Sequence, residues 1–154
     1  MFSIYHEIIE QFNRTKVLVI GDIILDTYLR GVSTRLSPEA PVPVINIYSR
    51  TDVVGGAANI AVNLKALGAD VAFLSAVGED EDGDKTIQLL RNSGVDCVSV
   101  FRDVSRKTMV KTRVMSQSQI LARFDYGSEN PIGKEVEQEL IDYLAAHYAP
   151  FDAI

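Results

Sequence analysis

The sequence predicts an α/β protein built on a mostly parallel sheet, and three observations carry that prediction. Short apolar runs, Val17 to Ile20 and Val71 to Leu74 among them, alternate with stretches whose apolar residues recur at helical spacing. Glycines punctuate the changes: Gly21 and Gly78 follow apolar runs, Gly55-Gly56 stands between an apolar run and a helix, and Gly68 and Gly94 lie just past helix ends. Parallel strands need long crossover connections, which intervening helices supply.

Taken in order, Phe2, Tyr5, Ile8, Ile9 and Phe12 recur at helical spacing and open the chain with a short amphipathic helix. Lys16 to Ile20 is the first strand and Gly21-Asp22 ends it. From Asp26 to Tyr48 the chain reads as extended and turn segments, since Pro38, Pro41 and Pro43 rule out helix. A helix from about Ala57 to Leu67 stops at Gly68, and Val71 to Val77 is the next apolar strand, broken by Gly78. Gly83 to Asn92 is a helix with Ile87, Leu89 and Leu90 inward, followed by a strand from Cys97 to Phe101. Thr108 to Met115 and Ile120 to Phe124, separated by four polar residues, form a hairpin. A long helix from about Gly133 to His147 follows. Pro150 to Ile154 then reads as a turn and the first residues of another buried strand, so the chain is expected to be the first portion of a longer domain.

Composition narrows the function. With 154 residues, 47% hydrophobic and 23% charged, the chain has the balance of one globular domain with a real core. Its apolar runs fall far short of the roughly 20 residues that span a bilayer, and the N-terminus has no signal-peptide pattern. A cytoplasmic location is expected. The single cysteine, Cys97, allows no internal disulfide and is expected to be a buried thiol. Two histidines far apart in sequence make a zinc site or a histidine triad a poor fit. A net charge of −6 argues against nucleic acid as a partner, which would need many cationic phosphate contacts. Yet Arg102, Arg106, Lys107, Lys111 and Arg113 cluster, and one basic segment on an acidic chain suits a small phosphorylated ligand.

The candidate binding residues gather around the glycine pair. Gly55 and Gly56 permit a tight turn with no Cβ to hold a ligand away, and the N–H groups of the following helix favour a polar or anionic ligand. Such a pair also serves as a packing device, and the glycines alone do not separate the two readings. Asp22 and Asp26, just past the first strand, are placed either to accept hydrogen bonds from a ligand's hydroxyls or to cap a turn. Lys111 and Arg113 share one strand face that Arg123 can join from the partner strand. They form either a phosphate clamp or the solvated face of an exposed hairpin. Arg106 and Lys107 read as surface charges. The acidic run Glu79 to Asp82 reads as a solvated loop entering a helix N-terminus rather than as a metal site.

Gly55-Gly56-Ala57-Ala58-Asn59-Ile60-Ala61, with Gly68 and Gly78 at their spacings, resembles the first signature of the PfkB, or ribokinase-like, carbohydrate kinases. Arg35-Leu36-Ser37-Pro38-Glu39-Ala40-Pro41-Val42-Pro43-Val44, together with Gly21-Asp22-Ile23-Ile24-Leu25-Asp26, is similar to the N-terminal kinase part of the heptose-7-phosphate kinases. The resemblance implies a ribokinase-like sandwich, with a small β lid made by about 27–50 and 106–125, of which residues 1–154 are the N-terminal part. It implies that Asp26 takes the place of the sugar-binding aspartate and that Asn59, in the first turn of its helix, joins the sugar site. ATP and Mg are implied for the complete enzyme, with a sugar phosphate as substrate. The family's Gly-Ala-Gly-Asp motif, its nucleotide pocket and its Asn-x-x-Glu motif are missing from this sequence, so no catalytic residue and no metal ligand is expected here and the segment alone is expected to be inactive. A homodimer paired through the lid strands is expected. The rival readings are a kinase of another sugar and a non-catalytic sugar-binding or dimerisation module. A dinucleotide-binding turn is disfavoured, because Gly21-Asp22-Ile23-Ile24 lacks the required glycines.

Overall fold

The computed structural model describes residues 2–154, with side chains from residue 5 onward, so the expected place of Phe2 on an apolar face lies outside the described side chains. Its elements are α1 (Phe2–Gln11), β1 (Lys16–Ile20), β2 (Ile23–Leu36), β3 (Pro43–Gly56), α2 (Ala57–Ala66), β4 (Asp70–Gly78), α3 (Glu81–Asn92), β5 (Val100–Asp103), β6 (Val110–Ser116), β7 (Gln119–Tyr126) and α4 (Lys134–His147). The strands form two sheets: a parallel one in the order β1-β4-β5, and a mixed one in the order β3-β2-β6-β7.

The parallel sheet is the body, and the two-residue period of its strands decides what packs on each face. Val19, Val71 and Phe73 point toward Ala58 and Ala61 of α2 and toward Ile87 and Leu90 of α3. Leu18, Ala72 and Leu74, the alternate residues, point toward Leu140, Tyr143 and Leu144 of α4. Beyond the free edge of β1, Leu18 N–H donates to the Ala153 carbonyl at 3.0 Å and Val17 bridges Ala153 in parallel. The final residues therefore lie alongside β1 through an isolated parallel bridge. In α1, by contrast, Tyr5, Ile8 and Ile9 stay about half exposed.

The second sheet grows from the body without a helical connection. Only Gly21 and Asp22 separate β1 from β2, and β2 runs back along β3 as one long antiparallel hairpin. β2 also pairs in parallel with β6, which turns into β7. The stretch read as extended and turn segments is thus two strands of one sheet with the hairpin. Ile23, Leu25, Thr27 and Val110 face inward and are buried. Their neighbours Asp26, Tyr28, Lys111 and Arg113 occupy the opposite face, since side chains alternate along each strand.

Several boundaries differ from expectation, the hairpin strands by one or two residues at each end and two other elements for clear local reasons. The strand expected at Cys97 to Phe101 is Val100–Asp103, and Cys97 precedes it. There the Asp96 carboxylate accepts the Val98 N–H at 2.9 Å and the Cys97 carbonyl accepts the Val100 N–H at 3.1 Å, which curls these residues into a turn. Cys97 is buried as expected, and burial raises its thiol pKa. The α3 helix starts two residues earlier than expected because Asp80 caps it, accepting the Gly83 N–H at 2.8 Å.

Asp80 does more than cap. Its carboxylate also accepts the Thr108 N–H at 2.9 Å and the Thr108 hydroxyl at 2.7 Å, and Thr108 Oγ1 in turn accepts the Gly78 N–H at 3.0 Å. The acidic run is therefore a structural corner that fixes the chain two residues before β6. Burial opposes the charge on Asp80, but the bonds from Thr108 and Gly83 outweigh it and hold its pKa below the ordinary 3.8. Asp52 behaves alike: burial resists its charge, yet bonds from Lys85, Thr27 and Arg50 keep its pKa low. A depressed carboxylate stabilises the fold fully above its unfolded value and loses that contribution as pH falls through the folded one. Stability should therefore fall as pH drops below 3.8, and Asp80→Asn should flatten that acid limb while costing about 1–3 kcal/mol at neutral pH. Urea unfolding at several pH values checks both, and an unchanged acid limb in the variant would contradict the assignment.

Candidate functional site

Gly56 shapes the junction between the two sheets. It sits at φ 61°, ψ −142° as the N-terminal cap of α2, a conformation for which glycine is needed. A Cβ there would lie 2.5 Å from the Asp22 carbonyl oxygen. That carbonyl accepts the Ala57 N–H at 3.0 Å, so the first N–H of the helix is bound by protein instead of facing open space. The glycine turn thus ties the end of β1 to the start of α2 through the backbone of Asp22.

Gly55 has a different purpose. A Cβ on it would collide with Oδ2 of Asp26 and lie 2.9 Å from its Cγ, so the missing side chain is the berth of the Asp26 carboxylate. Asp26 is not in a turn at all: it lies within β2, opposite Val53 of β3 and Lys111 of β6. Its Oδ1 accepts from Arg113 Nη1 at 2.5 Å, and both side chains are more than four-fifths buried. Asp26 keeps the Arg113 guanidinium more firmly charged against the opposing effect of burial. The Arg113 guanidinium also lies over the Tyr28 ring, 5.2 Å from its centroid, and Arg30 lies over the same ring at 5.5 Å. Arg30 Nη1 donates to Thr51 Oγ1 at 3.1 Å. Tyr28 and Arg30 carried no signal in the sequence, because only the register of β2 with β6 brings Tyr28 beside Arg113.

The expected clamp is assembled in part. Arg113 and Arg123 are direct cross-strand partners, yet each already has a carboxylate: Arg123 Nε pairs with Asp125 at 2.9 Å as Arg113 pairs with Asp26. Lys111 makes no ion pair among the described residues, and it lines a cavity beside the second sheet. That cavity, about 510 Å³, is walled by Ile24, Met109, Lys111 and Asp125 of the second sheet, by Asp22, and by the segment from Ser128 to Ile132. Arg106, read as a surface charge, is instead half-buried in its wall and donates from Nη2 to the Ser128 carbonyl at 3.0 Å. Asp22 reaches the cavity as well. Asn59 is exposed in the first turn of α2 and lines none of it, and Gly55 is buried beneath Asp26.

No group of three or more metal-ligating side chains converges among the described residues, and Asp80 is fully engaged by Thr108 and Gly83. These residues do not fit a magnesium cage. No helix among them is long and apolar enough to cross a membrane.

The family model described as pfkB family carbohydrate kinase matches residues 14–148. The chain is 41% identical over 139 residues to the bifunctional protein HldE of Trichlorobacter lovleyi, covering 90% of this chain and 28% of that protein. It is 43% identical over 137 residues to HldE of Geobacter sulfurreducens, covering 89% and 28%, and 41% identical over 139 residues to HldE of Helicobacter pylori strain J99, covering 90% and 30%. The chain thus spans under a third of the length of these curated relatives. Among solved structures, a putative ribokinase from Agrobacterium tumefaciens superposes with TM-score 0.58 at 21% identity, over 77% of this chain and 39% of that one. Ribokinase from Cryptococcus neoformans, in complex with ADP, gives 0.57 at 17% identity, over 90% and 50%. These two likenesses are of fold. The resemblance carried by the glycine signature and the proline-rich motif is borne out.

Proposed function

Because this chain belongs to the pfkB family of carbohydrate kinases, we propose that it forms the sugar-binding portion of an ATP-dependent kinase acting on a heptose 7-phosphate. The product would carry a second phosphate on the anomeric oxygen, the chemistry needed on the way to ADP-heptose. One observation supports this reading above the rest: the Asp26 carboxylate, berthed over Gly55 and bound to Arg113, beside a cavity that Lys111 enters. A carboxylate accepts from sugar hydroxyls and a lysine offers a point charge to phosphate, so the two, paired across β2 and β6, would recognise a hydroxyl and the phosphate of such a substrate. The mixed sheet would act as a lid over the sugar.

The nucleotide, its magnesium and the base for the hydroxyl proton would be held by residues outside those described, so the isolated segment would be inactive. A cytoplasmic enzyme is the matching location. Turnover of heptose 7-phosphate with ATP by the complete gene product tests the reading, and activity confined to a different sugar would remove the substrate assignment.

One observation favours a kinase of an unphosphorylated sugar: Arg113 and Arg123 already hold carboxylates. Lys111→Met separates the two. With a phosphorylated substrate it should raise KM by about tenfold or more, the loss of one charge-assisted bond, whereas a free-sugar kinase should tolerate it. A second copy of the chain is proposed to pair across the lid, where Leu36, Val42, Tyr48, Ile120 and Phe124 leave apolar surface exposed. Light scattering showing a monomer would refute that pairing.

A further inference from the structure

A second, smaller cavity of about 160 Å³ lies at the C-terminal ends of β1 and β4, lined by Ile20, Gly21, Leu74, Ser75, Ala76 and Leu140. It shares Asp22, Arg106 and Ile132 with the large cavity, so the two adjoin across those side chains. The C-terminal edge of a parallel sheet is where ligands of α/β proteins gather. Asp22 and Arg106 therefore flank the passage from the lid-side cavity to that edge. Arg106 is the one cation among the described residues that lines both cavities. It is half-buried, makes no ion pair among the described residues, and has one side-chain hydrogen bond there, to the Ser128 carbonyl. Most of its donor capacity is uncommitted.

We propose that Arg106 contacts the phosphoryl group in transfer and stabilises the charge that develops on it. The inference rests on the kinase reading above. A substrate whose phosphate lies toward Lys111 presents its other end to this passage, because Lys111 is absent from the smaller cavity while Arg106 lines both. There the sugar hydroxyl oxygen bonds to the γ-phosphorus of a nucleoside triphosphate. The bond from that phosphorus to the bridging oxygen breaks, nucleoside diphosphate leaves, and the hydroxyl proton passes to a carboxylate base. Charge spread over the transferred group is best met by a guanidinium held in place beforehand.

Steady-state kinetics of the complete gene product, with Arg106→Gln and Arg106→Lys, test this. Arg106→Gln should lower kcat by about 10²-fold with KM for the sugar changed by less than about threefold, and Arg106→Lys should recover part of the loss. Both variants should melt as the wild type does. If Arg106→Gln melts early, Arg106→Lys, which keeps a donor for the Ser128 carbonyl, decides through the same split of kcat from KM. A wild-type kcat in the variants, or a loss confined to KM for the phosphorylated sugar, would overturn the role of Arg106 while leaving the kinase reading intact. A wild-type protein that phosphorylates no sugar would overturn the kinase reading and this inference with it.

Discussion

Gly56→Ala is expected to destabilise the complete gene product by about 3–4 kcal/mol, a melting shift on the order of 10 °C, or to prevent folding outright. Two costs combine. The backbone at φ 61°, ψ −142° is one that an L side chain occupies only under strain, and the new Cβ would press to 2.5 Å on the Asp22 carbonyl oxygen. That oxygen is backbone, and it already binds the Ala57 N–H, so it has nowhere easy to go. Relief would require moving the end of β1 or the start of α2, both of which are rooted in the main core. A thermal melt within about 2 °C of wild type would show that the junction is slacker than described.

Gly55→Ala, one residue away, should behave in the opposite way. Its backbone does not have a positive φ, and the atom its Cβ meets is the tip of a side chain that can swing aside. The protein should fold, with a loss of about 1–2 kcal/mol from the disrupted charge-assisted bond between Asp26 and Arg113. Sugar-dependent turnover should fall much further, by about 10²-fold in kcat/KM, because the displaced carboxylate no longer stands where a sugar hydroxyl would find it. KM for ATP should stay near its wild-type value. Wild-type turnover in Gly55→Ala would mean that Asp26 does not need its berth, whereas a folding failure would mean that the berth is structural. The adjacent glycines thus make separable demands: Gly56 on the fold and Gly55 on the site.

Local features of the chain were legible in the sequence, and pairings across long distances were not. Lys16–Ile20 is an apolar run closed by Gly21, and the strand found there has those bounds. The passage from β3 through Gly55-Gly56 into α2 was equally plain, because the glycine pair is a signal contained in a few residues. The segments of the second sheet were visible as proline-rich and hairpin text. Their assembly into one sheet depends on the parallel pairing of β2 with β6, which joins residues more than 80 positions apart and leaves no local trace. That pairing is what sets Asp26 against Arg113. It also explains why Arg113 is occupied, whereas Arg123 is held by Asp125 on its own strand.

Charges were the least readable feature. Arg106 and Lys107 are neighbours in sequence and look alike there, yet Arg106 turns into the cavity wall and Lys107 is exposed, a distinction made by the fold around Ser128. The acidic run from Glu79 read correctly as the entry to a helix. It hid the one carboxylate, Asp80, that anchors the approach to β6 and with it the position of Lys111. Asp103 shows the same limitation. Buried at 2% exposure, it accepts from Gly133 N–H at 2.7 Å and from Ser105 N–H at 2.8 Å, and so ties the start of α4 to the end of β5. Nothing in its local sequence marks it as more than a turn residue.

A crystal structure of the complete gene product with heptose 7-phosphate bound decides whether the face of the second sheet carrying Asp26, Lys111 and Arg113 receives a phosphorylated sugar. The sugar should lie between that face and the Ser128 to Ile132 segment, with hydroxyls on Asp26, phosphate within hydrogen-bond reach of Lys111, and the anomeric end toward Asp22 and Arg106. A sugar found away from this cavity, or seated with Asp26 and Lys111 both out of contact, would contradict it.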